Sequence, residues 1–137
     1  MIHFYRLNSR MCQLGVRNVG SIPYSQDRML IDFMLFHFRL VRFSVYEQVG
    51  GFNKEFEGIE DYEFCLRLTE ITEVQKVAQP LYYYRHHPES VCKKKHIEQI
   101  LLCKKAINQA LERRGMSEHY QLRVEVQASF FVEPKPI

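Results

Sequence analysis

Two adjacent carboxylates, Glu60 and Asp61, stand where the glycine-containing stretch from Gly50 to Gly58 runs into an amphipathic segment. At a helix start, unpaired N–H groups and the positive end of the dipole favour the ionised carboxylate. An ionised carboxylate at a loop edge can accept a proton from an incoming hydroxyl, which is what general-base catalysis requires. The same acids also suit plain helix capping, and on chemistry alone capping is the favoured explanation, since acids at helix starts are common. Asp61-Tyr62-Glu63 has the outline of a D-x-D metal chelate, but residues i and i+2 of a helix do not face each other. Glu63 is therefore expected to point to solvent or to pair with Arg67 at i+4.

A second polar cluster follows, Tyr84-Arg85-His86-His87-Pro88-Glu89-Ser90. Neutral imidazole is a common ligand for divalent metals, and an arginine fork can hold a phosphate. Two surface histidines in a polar loop are the plainer explanation. A zinc site assembled from His86 or His87, Cys92 and His96 lacks four ligands at established spacings. Lys93-Lys94-Lys95 reads as a solvated lead-in to the final helix, since three lysines without a basic stripe make a poor case for nucleic acid.

The elements that must position these residues follow from periodicity and punctuation. Ser25 as N-cap with Asp27 in the first turn predicts a helix over about 26–34, and the alternation across 36–42 predicts a strand. Ser44 and Glu47 match a capping box, opening a short helix that stops at Gly50. Phe64, Cys65, Leu68 and Ile71 mark one face of a helix from Asp61 to about Ile71. Short strands are expected over 74–78 and 81–85, around Pro80. The helix over 96–114 has the stripe Ile97, Ile100, Leu101, Lys104, Ile107 and Leu111, with Gly115 as cap, and 122–127 alternates like a strand before a tail with Pro134 and Pro136.

Composition sets wide bounds. At 137 residues the chain is one domain or part of one, with an aromatic supply of ten Phe and eight Tyr, no Trp, and a net charge of +3 too small to argue for nucleic acid. The four cysteines Cys12, Cys65, Cys92 and Cys103 are scattered without a C-x-x-C, and the N-terminus does not read as a signal peptide. A reduced thiol set and a cytoplasmic location are expected, with Cys65 and Cys103 as small core residues. The greasy run from Met29 to Phe43 is broken by Asp32, His37, Arg39 and Arg42, so no membrane span is expected, while peripheral membrane contact stays compatible.

Taken together, the two clusters resemble the C-terminal half of a glycosyltransferase family 2 domain. That family carries a GGF(D/N)…F…ED(Y/W)(D/E)…RL stretch, matched by Gly50, Gly51, Phe52, Asn53, Phe56, Glu60, Asp61, Tyr62, Glu63, Arg67 and Leu68. Its later R-x-H-x-x-S is matched by Arg85, His87 and Ser90; the resemblance covers 36–92 well and 23–35 plausibly. It implies an α/β fold, a partial GT-A (Rossmann-like) domain lacking its N-terminal nucleotide-binding strands. In that scheme 1–22 is a lead-in, 23–115 is the C-terminal half of the domain with its trailing helix 96–114, and 116–137 is a strand and tail.

The activity implied is inverting transfer of a sugar from a nucleotide-sugar donor to a hydroxyl acceptor. Asp61 would be the base, with Glu60 orienting it or the acceptor. His87, and after it His86, would help hold a divalent metal, Mg²⁺ or Mn²⁺, and Arg85 and Ser90 would shape the donor loop. The family's donor-side D-x-D has no counterpart in this sequence, and neither has its Q-x-x-R-W. The resemblance therefore implies an acceptor-side half, completed by a missing N-terminal half. The rival expectations are an inactive remnant or binding module and, more remotely, a small zinc- or nucleic-acid-binding domain.

Overall fold

The computed structural model describes residues 23–35, 39–75 and 96–126. Among the described residues four α-helices appear: α1 (Gln26–Met29), α2 (Phe43–Val49), α3 (Glu60–Ile71) and α4 (His96–Arg113), with a 3-10 turn at Lys54–Phe56 between α2 and α3. Among the described residues there is no strand, and this overturns the expected α/β, GT-A-like fold. Residues 39–42 and 122–126 alternate in sequence without pairing. Period-2 alternation makes a strand only when a neighbouring strand takes up its N–H and C=O groups. Here the carbonyl of Arg42 accepts from Val45 and Tyr46 and so opens α2, while Leu40 is left exposed. The expected strands at 81–85 and most of 74–78 lie outside the described residues.

Helix α3 is the centre of the arrangement, packed by α1, α2, the 3-10 turn and α4. Three acids in its first turn, Glu60, Asp61 and Glu63, favour the positive end of its dipole. Its side chains are buried almost all round, Tyr62, Phe64, Cys65, Leu66 and Leu68 among them. An ordinary surface helix buries one stripe. Here the opposite faces are taken up by different neighbours, Met29, Leu30 and Phe33 near α1 and Ala106, Ile107, Ala110 and Leu111 on α4. Polar ties fix the registers. Tyr62 Oη donates to the carbonyl of Leu30 at 2.6 Å, and Gln26 Nε2 donates to that of Thr69 at 2.8 Å. From α4, Gln99 Nε2 donates to the carbonyl of Gly58 at 3.0 Å, and Arg113 grips Glu70 with two bonds of 2.8 Å.

Helix boundaries follow local chemistry with two departures. Ser25 caps α1, its Oγ accepting from the N–H of Arg28, but the helix runs only to Met29. Helix α2 starts two residues ahead of the expected capping box, with Arg42 rather than Ser44 at the N-cap position and no side-chain cap. It ends at Gly50 as expected, in the left-handed region at φ 79°. On α4 the buried stripe is rotated from the one read in the sequence: Ile107 and Leu111 face inward, whereas Ile97 and Leu101 are 70% and 61% exposed. Small Ala106 and Ala110 let α4 sit close to α3 and so claim the inward face.

The turn from α2 into the loop is clamped by one ion pair. Glu63, only 3% exposed, accepts from Arg67 Nε and Nη2, both at 2.7 Å. The same guanidinium donates to the carbonyls of Val49 and Gly51, the latter at 2.7 Å, meeting groups left over at the end of α2. Arg67→Ala would strand a buried carboxylate and both carbonyls, and a loss of about 3–5 kcal/mol is expected in the urea unfolding free energy. A loss under about 1 kcal/mol, the range of a surface pair, would refute the clamp.

The two glycines of this turn differ in what surrounds them. A Cβ on Gly50 would meet nothing within 4 Å, but one on Gly51, at φ 68°, would lie 2.7 Å from Tyr46 Oη. Gly50→Ala should cost about 1–2 kcal/mol for the left-handed backbone alone. Gly51→Ala should cost measurably more, because the Tyr46 ring must also move from its packing on Phe64; equal unfolding midpoints would contradict this.

Candidate functional site

The first turn of α3 carries three carboxylates with three different fates. Glu63 is consumed by the clamp. Of the two expected fates, solvent or Arg67, it takes Arg67, in a buried place. Glu60 is exposed and folds back so that its Oε2 accepts from the N–H of Gly58 at 2.6 Å, closing the loop onto the helix start. Asp61 lies between these extremes, with its side chain 37% exposed. Its Oδ1 accepts from the N–H of Tyr62 at 2.8 Å, and its Oδ2 accepts from Arg39 Nη2 at 2.9 Å.

Arg39 is itself held in place. Its Nε donates to the carbonyl of Leu35 at 2.6 Å, and its guanidinium lies 5.0 Å from the centroid of the Phe33 ring. Phe33 packs in turn on Tyr62, with ring centroids 5.4 Å apart. The Asp61 carboxylate is thus oriented by a cation fixed at both ends, beside an aromatic wall. A carboxylate offers about four lone-pair sites. Two are occupied here, so an incoming hydroxyl can still be accepted.

Behind Asp61 lie two thiols. Burial pushes Cys65 up to about 11, with Arg39 opposing and the Asp61 charge adding to the rise. Burial likewise pushes Cys103 up to about 11, again helped by Asp61. Both are free and act as small apolar residues rather than nucleophiles. The hydroxyl of Tyr62 is also pushed upward, first by burial, which suits its role as a donor to Leu30.

Asp61 and Glu60 are therefore neighbours at one helix start, while Arg85, His86, His87 and Ser90 lie outside the described residues. Among the described residues no three His, Cys, Asp or Glu side chains cluster as metal ligands. Arg39 was missed by sequence reasoning, which took it for the polar face of a strand. Nothing in a single sequence signals a pairing across 22 positions. Comparison with protein-family models, curated proteins and solved structures finds no match for this chain.

The thiols give a pH dependence of known sign. Both are raised in the fold from the ordinary 9.0 to about 11, so the folded state holds their protons more tightly than the unfolded chain. Their stabilisation is complete below pH 9 and is lost as pH rises from 9 towards 11. Thermal melts should show this fall, and removing it with Cys65→Ala and Cys103→Ala together should flatten the profile. Ready labelling of either thiol by iodoacetamide at neutral pH in the folded protein would contradict the assignment.

Proposed function

We propose that this chain supplies the acceptor side of an inverting sugar transfer from a nucleotide-sugar donor to a hydroxyl, with Asp61 as the general base. The observation that carries the proposal is the division of labour in the first turn of α3. Glu63 is buried in an ion pair and Glu60 closes the loop, which leaves Asp61 oriented, half-buried and with acceptor capacity to spare. A base needs that combination: a fixed direction and access for the hydroxyl. The paired motifs, Gly50 to Leu68 and Arg85 to Ser90, support the reading.

In this reading the hydroxyl donates to a free lone pair of Asp61, which takes the proton as the oxygen attacks the anomeric carbon. The bond from that carbon to the diphosphate breaks on the opposite face, and configuration inverts. Arg85, His87 and Ser90 are assigned to the donor side, with His86 ranked after His87. The sequence has no D-x-D, so most donor-binding residues belong to a partner half.

A second reading rests on the same geometry. The Arg39–Asp61 pair, with the Arg39 bond to Leu35, ties Leu35 and Arg39 to α3 and would serve a non-catalytic binding module equally well. Turnover separates the two. With labelled UDP- and GDP-sugars, Mn²⁺ and a panel of hydroxyl acceptors, Asp61→Asn should lower kcat by about 10²–10⁴ while keeping the unfolding free energy within about 1 kcal/mol. Turnover that survives Asp61→Asn overturns the base assignment. A stability loss with no transfer by the native chain, alone or with its partner half, favours the binding module.

A further inference from the structure

We draw no further inference here: the strongest candidate, the exposed aromatic patch that Phe43 on α2 and Phe52 in the loop after it form around Tyr46, is an unpartnered apolar face, and nothing in the structure shows what covers it.

Discussion

The buried Glu63–Arg67 pair is the constraint on which the site depends. Helix α2 ends in two successive left-handed glycines, and a turn of that kind leaves carbonyls pointing inward with no helical partner. Arg67 meets two of them while its remaining N–H groups close on Glu63. A guanidinium presents five donors in a rigid plane, which lysine cannot imitate. Burying such a pair brings no assured gain over apolar residues of the same size. What it provides is direction: it sets where the loop leaves α2 and hence where the chain re-enters α3, one residue ahead of Asp61.

Much of the helical part of this architecture is written in local sequence. The glycine stop at Gly50, the Ser25 cap and the long amphipathic segments are short-range signals, each with a mechanism confined to a few neighbouring residues. The fold class was not legible, because it depends on pairing. Residues 122–126 alternate as a strand would, yet Val124 and Val126 stay exposed and Leu122 alone packs towards the core. Similarly, the inward face of α4 was misassigned from hydrophobicity. Ile97 and Leu101 are more apolar than Ala106 and Ala110, but close packing on α3 rewards small side chains, and periodicity alone cannot weigh that. For the site, Asp61 stood out as an acid at a helix start; its orienting cation, Arg39, is a long-range partner and left no local trace.

The glycine-to-leucine motif can also be judged by what each residue does structurally. Gly50 and Gly51 occupy backbone conformations that favour glycine, and Asn53 caps the 3-10 turn through its Oδ1. Phe56 is fully buried, Phe52 packs on Phe64 at 4.8 Å, and Tyr62 anchors α3 to Leu30. Glu63 and Arg67 form the clamp, and Leu68 is core. Most of the motif is therefore accounted for by folding, and its presence would be required even of a chain with no chemistry to perform.

That subtraction is what gives Asp61 its weight. An ion pair as exposed as Arg39–Asp61 contributes little to stability, roughly 0–1 kcal/mol by comparison with measured surface pairs. The fold thus gains little from keeping this carboxylate, while it spends an aromatic wall and a backbone-anchored arginine on orienting it. That combination, an aimed carboxylate that contributes weakly to folding, is what the proposed role as a base would need. Glu60 is the intermediate case, since its bond to Gly58 shapes the loop that leads to Asp61. The two adjacent acids are thus not equivalent: Glu60 closes the loop at Gly58, and Asp61 is held by Arg39.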